Sequence, residues 1–193
     1  MYVIGLTGGI ATGKSTAAQV LRELGARIID ADEISRASTK PGGAAAEAVL
    51  RMFGTLDRRE LGKIVFADER KRLELEEIVH PIVISEVRTQ LMNMGDTLAV
   101  LDVPLLFESG MDAMADEIWV TAVSQEEQVR RICERDGLNE KAALARIHAQ
   151  MSTEEKIRRA DCVIDTSGPQ TQTRVRIEQL WCEARKHAEK CHG

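Results

Sequence analysis

The sequence predicts an α/β fold, a three-layer sandwich in which helices cover both faces of a five-stranded parallel sheet. Three observations predict it. Short aliphatic and β-branched runs alternate with longer helical stretches along all 193 residues. Strands separated by helices form βαβ units, which pair in parallel with right-handed crossovers. The chemistry-bearing motifs fall at the ends of those strands, where ligands of open α/β sheets gather.

The elements follow in order. Residues 2–7 read as the first strand and 14–24 as a helix, with Ala17, Val20, Leu21 and Leu24 on one face. Gly25 sits where a helix-terminating glycine belongs. Residues 27–31 form the second strand around Ile28-Ile29, and residues 44–94 are mostly helical. Residues 98–103 form a third strand cut by Pro104; 117–123 and 161–165 form the fourth and fifth. Residues 170–190 close the chain as an amphipathic helix. Trp119 is expected to be buried in the fourth strand, and Trp181 to pack the last helix onto the sheet. Methionines 92, 94, 111, 114 and 151 are expected to fill the core. His80 precedes Pro81, so it is placed between helical stretches.

Composition narrows the function. Only 3% of residues are aromatic, so Leu, Ile, Val, Ala and Met must build the core. A net charge of −5 excludes a global basic field for nucleic acid or an anionic membrane. The start lacks a signal peptide's basic region, and the apolar run 98–101 is stopped by Asp102. A cytoplasmic protein is expected, one domain over residues 1–193, as a monomer or small homo-oligomer. Cysteines 133, 162, 182 and 191 form no C-x-x-C pair and are expected to be reduced thiols. Cys182, His187, Cys191 and His192 match no common zinc spacing.

Residues 8–15 read Gly-Gly-Ile-Ala-Thr-Gly-Lys-Ser, the G-x-x-x-x-G-K-[ST] pattern between a strand and a helix. Glycines let backbone N–H groups approach phosphates, and the helix N-terminus adds unsatisfied donors. Gly9, Ile10, Ala11, Thr12, Gly13, Lys14, Ser15 and Thr16 are therefore expected to bind ATP. Lys14 reaches the β- and γ-phosphates, and the Ser15 hydroxyl serves Mg²⁺. No G-x-G-x-x-G is present, so a dinucleotide fold is set aside.

Asp30 and Asp32 follow the second strand, and strand alternation would put them on one side. One can accept the proton of an attacking hydroxyl while the other orients it or holds hydrated Mg²⁺. The alternative is that Asp32 caps the next helix. Asp102 either reaches Mg²⁺ through water or simply ends its strand.

With both motifs in hand, Gly5-Leu6-Thr7-Gly8-Gly9-Ile10 and Ile29-Asp30-Ala31-Asp32 resemble the dephospho-CoA kinase family. Further matches follow in sequence order. They are His80-Pro81, Val103-Pro104-Leu105-Leu106-Phe107-Glu108, the series Arg131, Arg135-Asp136, Arg146, Gln150, Lys156, and residues 160–165 with Gly168. The resemblance spans roughly residues 3–168. It implies a P-loop core, a helical acceptor-binding region at about 33–95 and a small lid at about 136–160. It implies phosphorylation of the ribose 3′-hydroxyl of dephospho-CoA, the last step of coenzyme A synthesis. Asp32 would be the base. Arg131 and Arg135 would neutralise phosphate charge from the lid, and Gly168 would lie beside the nucleotide. Asp30, Asp32, His80, Pro104, Leu105 and Leu106 would face the acceptor.

The chain departs from the family pattern at Ala11 and Thr12, where Gly and Ser are common. Small side chains there should preserve the loop. Thr166 replaces the usual Asn, which puts an adenine-side contact in question. The loop after Gly54 is short. A nucleoside or nucleotide kinase would share the same core and lid. A GTPase-type switch is disfavoured, because Asp165-Thr166-Ser167-Gly168 follows the last strand and N-K-x-D is missing.

Overall fold

The computed structural model describes residues 1–95 and 98–190. The zinc reading at Cys191 and His192 lies outside the described residues. The chain divides into two compact units, Met1–Ile29 with Met94–Gly193, and Asp30–Asn93.

The first unit holds the sheet, except for Asp30 at the end of the second strand. Its strands are β1 (Tyr2–Gly8), β2 (Arg27–Asp30), β3 (Leu98–Asp102), β4 (Glu117–Ala122) and β5 (Cys162–Asp165). Their order is β2-β3-β1-β4-β5. β1 pairs in parallel with β3 and β4, and β4 with β5. Six of the seven residues of β1 are buried, as expected of a central parallel strand covered on both faces.

Helices α1 (Lys14–Glu23) and α9 (Gln170–Lys190) cover one face. Ala17, Ala18, Val20 and Leu21 of α1 meet Ile177, Leu180, Trp181 and Ala184 of α9 over Ile4, Leu6, Val100, Trp119 and Ile164. Trp119 is fully buried, and Trp181 belongs to the same cluster, as the sequence led us to expect. Gly5 points to the opposite face, where an added Cβ would come within 2.9 Å of Leu106. Gly25 takes the left-handed conformation (φ 85°) that ends α1.

Three further helices follow β4: α6 (Gln125–Asp136), α7 (Glu140–His148) and α8 (Thr153–Arg158). Ser124, Asn139 and Ser152 each cap one by accepting from a backbone N–H.

The second unit is helical: α2 (Ala31–Ser38), α3 (Ala46–Phe53), α4 (Arg58–Ala67) and the long α5 (Glu69–Met94, whose last residue falls in the first unit). Asp57 caps α4 by accepting from Arg59 and Glu60 N–H. Pro81 does not divide α5, contrary to the boundary expected before a proline. Val79, Val83, Val87 and Leu91 recur every four residues and are buried. That apolar stripe outweighs the one backbone hydrogen bond that proline removes. Met92 is 72% exposed and fills no core, whereas Met111 is buried.

Candidate active site

β1 ends at Gly8, and the chain turns through residues 9–13 into α1. The turn is tight. A Cβ on Gly8 would lie 2.1 Å from the Thr121 hydroxyl and 2.5 Å from that of Thr12. Those two hydroxyls pair at 2.8 Å, and Thr12 Oγ1 also donates to Gly9 O at 2.8 Å. Gly13 has φ 85° and Ala11 φ 62°. Ala11 is therefore the position where this loop departs from an easy backbone. An alanine in the left-handed region costs about 1 kcal/mol over glycine, so conformation, not side-chain size, is what this departure affects. Left-handed residues in a tight turn of this kind can aim backbone N–H groups into a concavity suited to an anion.

Lys14 opens α1. Its ammonium contacts Asp102 Oδ1 at 2.5 Å, with side-chain exposures of 16% and 5%. Asp102 thus ends β3 as the charge partner of the phosphate-loop lysine, a role that neither sequence alternative had assigned. Ser15 is exposed and Thr16 half-buried in the first turn.

Side chains from α6, α8 and the 149–152 turn grip the loop from outside. Gln128 Nε2 donates to Ile10 O at 2.8 Å, and Ile10 N–H donates to Gln150 Oε1 at 3.1 Å. Thr153 Oγ1 donates to Gln128 Oε1 at 3.3 Å. Gly9 makes room for this, since a Cβ there would lie 2.9 Å from Gln128 Nε2. The side chains of Ile10 and Ala11 pack on Ile132, Ala143 and Ile147 of α6 and α7.

Arg131 lies under the loop. Its Nη1 donates to Ala11 O (3.3 Å) and Thr166 Oγ1 (3.2 Å), Nη2 to Thr166 O (2.6 Å), and Nε to Glu127 Oε1 (2.7 Å). Thr166 Oγ1 donates onward to Thr12 O at 2.8 Å. The Arg130 and Arg131 guanidiniums hold the Glu127 carboxyl down at about 2. Arg135, on the last turn of α6, is more than half exposed and forks onto Asp136 at 2.8 and 3.0 Å. Asp136 also accepts from Arg146 at 2.7 Å. These contacts, led by Arg135, lower the Asp136 pKa.

Beyond β3, Lys156 is fully buried, with Nζ 2.7 Å from Pro104 O and 3.1 Å from Glu108. Burial pushes its pKa down, Glu108 pulls it back, and the charge of Lys14 depresses it further. Glu108 also accepts from Met151 N–H at 3.0 Å. Pro104 and Leu105 keep exposed surface, but Leu106 is fully buried, so its side chain is core and not a wall open to a ligand. Gly168 is exposed in the turn after β5.

In the second unit, Asp30 is the N-cap of α2, its Oδ1 accepting from Glu33 N–H at 3.0 Å. Capping thus falls to Asp30 and not Asp32. β2 ends at Asp30, so Asp32 sits in the first turn of a helix and strand alternation does not govern it. Asp32 is exposed. His80 is half-buried on α5.

A glycine-rich loop running from a central strand into a helix, with its lysine and outlying arginines, is the nucleotide site of a P-loop kinase. The family model described as Dephospho-CoA kinase matches residues 2–172. The chain belongs to the dephospho-CoA kinase family. A relative of that name from Carboxydothermus hydrogenoformans is 48% identical, over 91% of this chain and 90% of its own. One from Bacillus licheniformis is 46% identical, over 92% and 94%. The solved dephospho-CoA kinase of Campylobacter jejuni superposes with a TM-score of 0.72 at 27% identity, over 96% of this chain and 98% of that one. Shikimate kinase from Aquifex aeolicus shares the fold alone, at 13% identity and a TM-score of 0.51.

Gln128 and Thr153 carry no sequence signal for their place at the loop. Gln128 is one polar residue among many on α6. Only Gly9, whose missing side chain leaves space for the amide, hints at a close neighbour.

Proposed function

We propose that this kinase transfers the γ-phosphoryl group of ATP to the ribose 3′-hydroxyl of dephospho-CoA, giving coenzyme A and ADP. The support is family membership across residues 2–172 together with a formed phosphate loop at the end of β1. The free N–H groups of the loop and of the first turn of α1 receive the phosphates. Lys14 leaves Asp102 for the β- and γ-phosphates, so nucleotide binding exchanges one anionic partner for another. The exposed Arg135 can shed its contact with Asp136 and place a permanent positive charge on the transferring group. Asp32 accepts the acceptor's proton as the new bond forms. Within the helical unit, Asp30 and the half-buried His80 are the residues proposed to contact the acceptor.

The residues fit a magnesium ion held mainly by phosphates and water. Ser15 offers one exposed hydroxyl in the first turn of α1, and such sites need no all-protein cage. Bound there, Mg²⁺ would neutralise charge between the β- and γ-phosphates.

Cys133, Cys162 and Cys182 are free thiols. Among the described residues, no helix is long and apolar enough to cross a membrane.

The test is ADP formation from Mg-ATP with and without dephospho-CoA, with mass detection of the product. Acceptor-dependent ADP and a product heavier by one phosphoryl group are expected. ATP binding without turnover of dephospho-CoA, but with turnover of a nucleotide, would overturn the choice of acceptor.

A further inference from the structure

Three consecutive carbonyls of the phosphate loop each meet a different side chain. Ile10 O accepts from Gln128, Ala11 O from Arg131, and Thr12 O from Thr166. The three donors come from two places distant in sequence, α6 and the residue that follows β5. Gln128 is 2% exposed and Thr166 7%, so water does not readily replace them.

A trans peptide is planar, and its C=O and N–H point in opposite directions. Fixing Ile10 O outward therefore turns Ala11 N–H inward, and fixing Thr12 O outward turns Gly13 N–H inward. Between them, Thr12 N–H is taken up by Gly9 O at 3.3 Å. Among the described residues, no protein acceptor takes the N–H groups of Ala11, Gly13, Lys14, Ser15 or Thr16. Gly13 to Thr16 thus supply four consecutive donors, and Ala11 adds a fifth on the other side of the engaged Thr12 N–H.

We propose that Gln128, Arg131 and Thr166 are positioning residues for the phosphate chain. They hold the loop carbonyls away from the ligand, so that the anion meets only N–H groups. Arg131 thereby serves the loop from behind. Four hydrogen bonds to Glu127, Ala11 and Thr166 occupy its guanidinium, which leaves Arg135 as the exposed arginine for the phosphate. The Thr166 hydroxyl likewise serves polyphosphate binding and not the adenine ring. A carbonyl freed to swing inward would set a partial negative charge against the phosphates and withdraw one N–H donor.

This rests on nucleotide binding at the loop and not on the identity of the acceptor, so a negative acceptor assay leaves the test intact. Dissociation constants would be measured for Mg-ATP, and for inorganic tripolyphosphate competing with a fluorescent ATP analogue. Thr166→Val keeps the shape and removes the hydroxyl; Thr166→Ser restores the hydroxyl; Gln128→Met removes the amide. Thr166→Val and Gln128→Met should each weaken both ligands by about tenfold, the scale of one buried hydrogen bond. Thr166→Ser should stay within about twofold of the parent chain, as expected when the same bond is kept. The proposal fails if tripolyphosphate binds Thr166→Val and Gln128→Met as it binds the parent, or if ATP alone is weakened. It also fails if Thr166→Ser is as weak as Thr166→Val, which would make packing the cause. If Thr166→Val does not fold, Gln128→Met decides.

Discussion

The two units bury different kinds of residue. In the first, Thr7, Thr12, Asp102, Thr121, Gln128, Thr153, Lys156, Thr166 and Thr173 are buried polar groups; in Asp30–Asn93 only Ser38 is, among the described residues. Most of the first set bond the phosphate loop or the segments around it. The helical unit instead leaves Leu50, Met52, Leu73 and Met92 roughly half exposed or more. A satisfied buried polar network is rigid, because each member is costly to leave unpaired. Helices held by an apolar stripe can shift with less penalty. The difference suits the roles proposed above, a preformed grip on phosphate in one unit and an adaptable surface for a larger acceptor in the other.

That contrast can be broken experimentally. Asp32→Asn, in the helical unit, should lower kcat by a factor on the order of 10³, the range of general-base catalysis. Its ATP dissociation constant should stay near that of the parent chain. Near-normal turnover in single-turnover kinetics would remove Asp32 from the chemistry. Lys14→Ala, in the sheet unit, should lower kcat/KM by about 10²–10³, the scale of losing one preorganised electrostatic contact. Unlike Asp32→Asn, it should also weaken ATP itself, which calorimetry would detect. Were the two variants to exchange these signatures, the division of labour would be wrong.

Lys156→Met tests whether the network carries stability. It leaves Glu108 without its buried cation and takes one donor from Pro104 O. A loss of about 2 kcal/mol is expected, below the usual range for breaking a buried pair because Glu108 is partly exposed. Urea denaturation would measure it, and an unchanged midpoint would show that the buried pair carries no net stability.

The smallest effect is at Glu127. Its folded pKa, about 2, lies below the ordinary 4.5. Its pairing with Arg130 and Arg131 therefore contributes stability fully above about 4.5, and loses it as pH falls towards 2. Parent and Glu127→Gln melting temperatures should differ slightly at neutral pH and converge in acid. A gap that widened on acidification would assign the low pKa to another cause.

The strands, the terminal helix and the phosphate loop were legible because each follows a local rule: β-branched runs, helical periodicity, and a fixed spacing of Gly, Lys and Ser. Where two rules compete, position alone does not decide. Ala31-Asp32 reads equally well as strand end or helix start, and the Asp30 cap settles it for helix. Pro81 reads as a boundary until the stripe of Val79, Val83, Val87 and Leu91 is seen to be buried. Arg131 and Arg135 are alike in sequence but opposite in use, one bonded beneath the loop and the other exposed beside Asp136. Lys156 looks like a surface lysine and is fully buried. Such long-range polar contacts leave no periodic trace.

The placement of the aromatic rings has an optical consequence. Trp119, Trp181 and Tyr2, the chain's whole complement of tryptophan and tyrosine, all lie in the sheet unit. Ultraviolet emission during denaturation therefore reports that unit alone, while far-ultraviolet circular dichroism also registers the helices of Asp30–Asn93. Coincident curves would mark a single cooperative transition. A loss of ellipticity ahead of any change in emission would mean that the helical unit melts by itself, a label-free view of local unfolding provided by where the indoles happen to sit.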